Sequence, residues 1–328
     1  MRAVIVNPAS ASGRTADRWK RIVAELEAGG EQFEVLLTTG PGDGIALARQ
    51  AIADGMRQLV VLGGDGTLGE VIAGCIKPDG SGMLHDSIEL SIIHQGTGGD
   101  LARGLAVPKD EAGAIETALN GQLRRIDIGL ARFTRQPGLD VVADAAADGR
   151  LARGFACTAN VGMAAEVVEK VTGRLKRLGN SGSFAAATIS CLAHNKPRPV
   201  RIRTDEGLDA TLTIVDVDVC NNAYMGGGMH VAPGSSLDDG LFDVIVIGAA
   251  GRFRLLRTFP KIYSGRHVTD PLVRVEQTAK LTIDTPDPRS PEGVVLDGEL
   301  VGCTPATFEV LAAAISVRVP RGAVGSPA

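Results

Sequence analysis

Hydrophobic positions follow one pattern up to about residue 125 and another beyond it. In the first part, short apolar runs at 4–6, 33–37, 58–62 and 88–93 read as strands. Between them, apolar residues recur at helical spacing: Trp19, Ile22, Val23 and Leu26 within 16–28, a second helical stretch at 45–53, and a third running to Ile72. Such alternation predicts a parallel sheet covered by helices on both faces, with ligands at the carboxyl ends of its strands.

Past Arg125, long helical periods become rare. Runs rich in β-formers at 126–133, 155–159, 200–204, 210–221, 242–247, 272–275 and 280–284 predict a second, mostly antiparallel β-sandwich domain. Helices are expected at 161–178, 182–194 and 252–263. Segment 134–149, with Pro137, Gly138 and Gly149, reads as a surface hairpin or disordered loop, and 285–292 as another loop. The strand-like 317–320 is expected to return to the first sheet. The division is therefore an α/β domain over 1–124, joined by 312–328, and a β-rich domain over 125–311.

Composition narrows the function classes. At 328 residues, two domains are the better expectation than one core. Aromatic residues make up only 3%, too few for a surface that stacks bases, and the net charge of −4 gives no general pull toward nucleic acid. Five scattered cysteines, none in a CxxC pair, suggest neither a zinc site nor a disulfide framework, and fit a reducing cytoplasm. No apolar run approaches the ~20 residues of a spanning helix. The opening Met1 to Val6 reads as a first strand, not as a signal peptide.

The strongest chemical signal is Gly63-Gly64-Asp65-Gly66-Thr67-Leu68-Gly69, where an apolar strand runs into glycines and then a helix. Glycines let backbone N–H groups approach an anion, and a helix N-terminus adds donors for phosphate. Asp65 beside phosphate needs a metal ion or a proton transfer to justify it; the bland alternative is a helix cap. Asn7 to Gly13, Thr39-Gly40 and Gly96-Thr97-Gly98-Gly99-Asp100 end the other strands in the same polar style. In a parallel sheet these four strand ends lie side by side. The GxxxxGK[ST] loop is absent, and no GxGxxG opens the first helix.

These residues resemble the nucleotide signature shared by diacylglycerol kinases, sphingosine and ceramide kinases, NAD kinases and phosphofructokinases. Gly96 to Arg103 is similar to the GTxNDxAR segment of the lipid kinases, with Gly99 in place of Asn and His94 in place of Pro. Asn221-Asn222, Gly226-Gly227-Gly228, Pro233 and Asp239-Gly240-Leu241 match a second family segment, and Leu296-Asp297-Gly298-Glu299 the late LDGE motif. The resemblance covers nearly the whole chain and implies an NAD kinase/diacylglycerol kinase-like fold.

It also implies a lipid kinase using ATP and Mg²⁺ to phosphorylate a hydroxyl of a membrane lipid: diacylglycerol, ceramide or a sphingoid base. Asn7, Thr39, Gly63, Gly64, Asp65, Gly66, Thr67, Leu68, Gly69, Gly96 and Thr97 would hold ATP. Because an alcohol is a poor nucleophile, a carboxylate must take its proton: Glu299 with Asp297 assisting, or Asp65. The Ser236 and Leu241 carbonyls with the Asp239 carboxylate would hold a structural Mg²⁺. A soluble-substrate kinase and a catalytically silent nucleotide- or lipid-binding regulator are the alternatives. Eight basic residues and no acid between 170 and 203, and five basic residues without an acid between 252 and 266, suggest peripheral membrane contact from the cytoplasm, or a solvated basic edge.

Overall fold

The computed structural model describes residues 2–96, 98–146, 148–173, 180–194 and 196–322. Four strands, β1 (Arg2–Val6), β2 (Glu34–Leu37), β3 (Gln58–Gly63) and β4 (Glu89–His94), run parallel in the order β2-β1-β3-β4. Around them lie α1 (Arg14–Glu27), α2 (Asp43–Ala53), α3 (Asp65–Gly74), α4 (Asp100–Gly104) and α5 (Glu111–Asn120). Thr67, Leu68, Gly69, Val71, Ile72, Ala73 and Gly74 of α3 are all buried, so that helix shows little amphipathic period. Its tight seat depends on Gly74, where a Cβ would stand 2.6 Å from the Ile45 carbonyl oxygen.

Chain continues into β5 (Gln122–Thr134), β6 (Asp144–Ala145), β7 (Leu151–Phe155), β8 (Thr158–Gly162), α6 (Met163–Gly173), α7 (Asn180–Ala193), β9 (Arg198–Thr204) and β10 (Asp209–Cys220). The remaining elements are β11 (Tyr224–Met225), β12 (Met229–His230), β13 (Phe242–Gly248), α8 (Arg252–Thr258), β14 (Val273–Thr278), β15 (Lys280–Asp284), β16 (Gly293–Leu296) and β17 (Glu299–Val319). Pairing among them is antiparallel and encloses a core of Phe133, Phe155, Phe242 and Phe308 with aliphatic neighbours. Phe155 and Phe242 stack at 5.6 Å between centroids.

The long strands β5 and β17 join the two layers. They pair antiparallel from Gln122–Val319 to Thr134–Cys303, and Ser316 and Val317 of β17 also pair in parallel with Glu89 and Leu90 of β4. A bulge between Leu311 and Ile315 interrupts the ladder. There the buried Asp127 carboxylate accepts the Ala313 N–H at 2.6 Å and the Gly240 N–H at 2.7 Å, tying bulge and loop together.

Two expectations are corrected in detail. Residues 155–159 form no continuous strand, because the Ala156 and Cys157 N–H groups turn to the Asp297 carboxylate, so β7 ends and β8 begins around them. Segment 252–263 is a short α-helix followed by a 3₁₀ turn at Phe259–Ser264, since Pro260 cannot continue the α-helical hydrogen bonding. Of the two readings of 134–149, the hairpin holds for its later part, where β6 pairs antiparallel with β7 and Asp144 bridges to Arg49 of α2. The predicted helix over 161–178 begins at Met163, and residues 174–179 lie outside the described residues.

Candidate active site

The first turn is built on Asn7, just beyond β1. Its Nδ2 donates to the Thr67 hydroxyl at 2.8 Å, and its Oδ1 accepts the Ala9 N–H at 3.0 Å. Ala11 and Ser12 then adopt φ of 53° and 59°, a left-handed conformation that costs non-glycine residues of order 1 kcal/mol each. Such local strain persists only where the surrounding structure over-determines the backbone.

Asp65 opens α3, and its side chain is spent on the neighbouring turn. Oδ2 accepts the Gly99 N–H at 2.8 Å and Oδ1 the Asp100 N–H at 3.1 Å, satisfying donors at the start of α4. Gly98 is needed here, because any Cβ would collide with the Asp65 carboxylate. Asp100 in turn accepts Arg103 Nη1 at 2.6 Å and the Gly227 N–H at 2.8 Å. Burial pushes the Asp100 carboxyl up, while the Gly227 N–H pulls it down. Asn222 donates to the Asp100 and Tyr224 carbonyls, and Arg103 lies over the Tyr224 ring. The glycine turns of the first layer are thus fastened to the Gly226–Gly228 loop of the second.

Asp297 sits at a tight turn between β16 and β17 with φ of 47°. Its carboxylate accepts three backbone N–H groups: Ala156 at 2.8 Å, Cys157 at 2.8 Å and Thr158 at 3.0 Å. Burial pushes this carboxyl up and those donors pull it back. Glu299, two residues on, is half-exposed and pairs with the buried Arg153 at 2.7 Å. The Cys157 thiol lies among the acids: burial pushes it well up, reinforced by the fields of Asp297, Asp65 and Asp100.

One cavity of about 780 Å³ connects these groups. Asn7, Ser10, Gly64, Asp65, Gly66, Thr67, Leu68, Gly69 and Gly96 line one end, and Asp297 and Glu299 also face it. The other end is apolar, walled by Met163, Val167 and Phe184 of α6 and α7, by Val215 and Ile247, and by Leu255 and Phe259. Gly63 and Thr39 are not on the wall; the Thr39 hydroxyl donates to Asp43 Oδ2 at 2.6 Å instead. Thr97 lies outside the described residues. Ser236, Asp239 and Leu241 form a separate loop, in which Asp239 Oδ1 accepts the Leu241 N–H at 3.1 Å. Among the described residues, no three His, Cys, Asp or Glu side chains gather as a metal cage.

Sequence reasoning missed Arg153, Asn160, Asp216 and Asp218, all of which line the cavity. The two aspartates carried a signal: acids at alternate positions of an otherwise apolar strand. Among the described residues, no helix is long and apolar enough to cross a membrane.

Glycine turns of a parallel α/β layer, facing carboxylates of a β-sandwich across one cavity, define a two-domain kinase fold. Residues 2–131 match the diacylglycerol kinase catalytic domain, and residues 157–319 the YegS C-terminal NAD kinase beta sandwich-like domain. The chain belongs to this family of lipid kinases. It is 26% identical over 320 residues to a diacylglycerol kinase of Bacillus subtilis (strain 168), covering 97% of this chain and 96% of that protein. A diacylglycerol kinase of Mycobacterium tuberculosis (strain ATCC 25618 / H37Rv) is 27% identical over 320 residues, covering 97% and 94%. The crystal structure of a diacylglycerol kinase from Bacillus anthracis str. Sterne superposes with a TM-score of 0.69 over 98% of each chain at 22% identity, a likeness of fold.

Proposed function

We propose that this protein transfers the γ-phosphoryl group of ATP to a hydroxyl of a membrane lipid, either diacylglycerol or a ceramide- or sphingoid-type alcohol. The observation that carries the reading is the single cavity, polar and glycine-lined at one end and apolar at the other, with Asp65, Asp297 and Glu299 on its wall. A triphosphate suits the first end, where backbone N–H groups and the start of α3 favour anions. An acyl chain suits the second. We assign the nucleotide to the α/β layer, 1–124 with the returning strand in 312–328, and the lipid to 125–311.

Phosphoryl transfer is mostly positioning and charge stabilisation, plus removal of the attacking hydroxyl's proton. Three backbone donors hold Asp297 rigidly, whereas Glu299 is half-exposed with one cationic partner. That contrast supports Glu299 as the proton acceptor and Asp297 as the group that orients it. Asp65, with two N–H groups on its oxygens, supports the geometry of the phosphate turns.

Mg²⁺ on the triphosphate would supply neutralisation of its developing charge. A structural Mg²⁺ would need the Asp239 carboxylate and the Ser236 and Leu241 carbonyls, an all-oxygen set that suits a hard cation. Burial raises the Asp239 carboxyl, and the nearby Asp127 and Asp238 raise it further, so a cation there would relieve repulsion.

Access from a bilayer fits the α8 region. Leu255, Phe259 and Ile262 face the cavity, while Phe253 and Tyr263 are exposed beside the exposed Arg252, Arg257 and Arg266. Each such cation is worth about 1 kcal/mol near an anionic surface. Labelled ATP incubated with and without a lipid panel tests the proposal. Label transferred to lipid supports it; no transfer with tight ATP binding points to a silent regulator, and transfer to a soluble acceptor alone overturns the lipid assignment.

A further inference from the structure

Arg153 is a buried charge to which the phosphoryl chemistry above gives no task. Its side chain is 7% exposed, and among the described residues the acid it pairs with is Glu299, at 2.7 Å from Nη2 to Oε2. Among the described residues it is also the one Lys or Arg on the cavity wall, where the acids are Asp65, Asp100, Asp216, Asp218, Asp297 and Glu299. Arg103 of α4 is committed elsewhere, to Asp100 and to the Gly98 carbonyl.

The chain brings this cation to the corner by a short route. β7 ends at Phe155, and the next three N–H groups, of Ala156, Cys157 and Thr158, hold Asp297. Residues 153–158 therefore wrap the Asp297–Glu299 turn from one side. Gly69 of α3 faces it from the other, where a Cβ would stand 3.4 Å from Asp297 Oδ2. A base must lie within hydrogen-bond reach of the hydroxyl it deprotonates. With Glu299 in that role, only its own carboxyl group separates Arg153 from the forming phosphate ester.

Removal of the hydroxyl proton upsets the charge balance of this corner. As the lipid oxygen bonds to the γ-phosphorus, the bond from phosphorus to the bridging oxygen of ADP breaks. The hydroxyl proton passes to the Glu299 carboxylate, which becomes neutral. A buried cation that loses its counter-charge is strongly destabilised. The same step delivers an anionic phosphate ester beside it. A guanidinium suits the exchange, because its planar fork pairs with phosphate as it does with carboxylate.

We propose that Arg153 is the acceptor-side phosphate ligand, paired with Glu299 before transfer and passed to the transferred phosphoryl group as Glu299 takes the proton. This rests on the lipid-kinase reading for the reaction, but phosphate binding is read without it. The test is titration of the full chain, without nucleotide, with dodecyl phosphate and, as the uncharged control, dodecanol in detergent. Glu299→Gln replaces the competing carboxylate with a neutral amide, so dodecyl phosphate should bind ~10-fold tighter and dodecanol within ~2-fold of the parent. In an Arg153→Met background the same change should gain less than ~3-fold, because the two residues act as one unit. Unchanged phosphate affinity in Glu299→Gln overturns the proposal. So does an equal gain with and without Arg153, which would mean only that a repelling charge had been removed. If Arg153→Met does not fold, Arg153→Lys keeps the buried charge without the fork; the gain should then shrink severalfold, and an undiminished gain overturns the proposal equally. In transfer from ATP to a lipid alcohol, Arg153→Met should lower kcat ~100-fold with both KM values within ~3-fold, the split expected of a contact made only as charge develops. Raised KM values with kcat unchanged would defeat that role. The outcomes keep the two readings apart: no transfer with the Arg153-dependent gain intact defeats the kinase proposal and leaves Arg153 as a phosphate ligand, and transfer without such a gain does the reverse.

Discussion

Asp65 accepts the backbone N–H of Gly99 at 2.8 Å, so the acid of one glycine turn holds the start of the helix that follows the next turn. Two strand ends that lie thirty-odd residues apart in sequence are thereby one unit. Asp100 extends the link to Gly227 in the other layer. The arrangement places the candidate phosphate turns and the β-sandwich in one hydrogen-bonded frame, and it bears directly on what substitutions should do.

Asp65→Asn keeps the shape but replaces one accepting oxygen with a donor, opposite an N–H. Loss of the Gly99 or Asp100 contact should displace the turn, and transfer from ATP to lipid should fall ~100-fold, the order expected when reacting groups are misplaced by about an ångström. Steady-state kinetics at saturating lipid check this. Full activity would remove Asp65 from the site.

Glu299→Gln removes the proposed proton acceptor but retains a partner for Arg153. Turnover should drop at least ~100-fold with ATP affinity within a few-fold. Turnover near that of the parent protein would place the base elsewhere.

Asp218 gives a pH-dependent expectation. Burial pushes its carboxyl up to about 6 from an ordinary value near 3.8. A raised carboxyl binds protons more tightly in the folded chain than in the unfolded one. Stability is therefore greatest below the unfolded value and declines as pH rises toward the folded one. Asp218→Asn should raise the melting temperature at pH 7 and leave it nearly unchanged near pH 4. An equal change at both pH values would show that the carboxyl's charge is not the cause.

Gly74→Ala should destabilise the α/β layer by about 1–3 kcal/mol, because the new Cβ would press on the Ile45 carbonyl oxygen and on Ala48. Thermal unfolding measures it. No change would mean that α2 and α3 move apart easily.

Phe253→Ser with Arg257→Glu should weaken binding to anionic vesicles about tenfold or more, the loss of one apolar anchor and one exposed cation replaced by an acid. Sedimentation with vesicles of rising anionic content reads this. Unchanged partitioning would move the membrane face elsewhere.

Much of this architecture was readable in one dimension. Apolar runs and helical spacing marked β1 to β4 and the helices among them within a few residues, because local burial on a parallel sheet imposes local periodicity. The end of α3 was less legible, since a helix buried all round loses its polar stripe. The strand predicted across 155–159 failed for a different reason: its N–H groups bond to Asp297, some 140 positions away. No local pattern encodes such a partner.

Residue order alone determined the glycine-and-acid turns, the late Asp297–Glu299 corner and the shift from α/β to β-rich character, because these depend on backbone freedom and on alternation between near neighbours. Tertiary structure decided that Asp297 is held by three N–H groups while Glu299 stays half-exposed, that Thr39 turns to Asp43, and that Asp216, Asp218 and His267 share one apolar chamber. Accessibility and hydrogen-bond partners are properties of the packed whole. They arise when β5 and β17 bring the two layers together, and only then does each acid acquire the surroundings that set its chemistry.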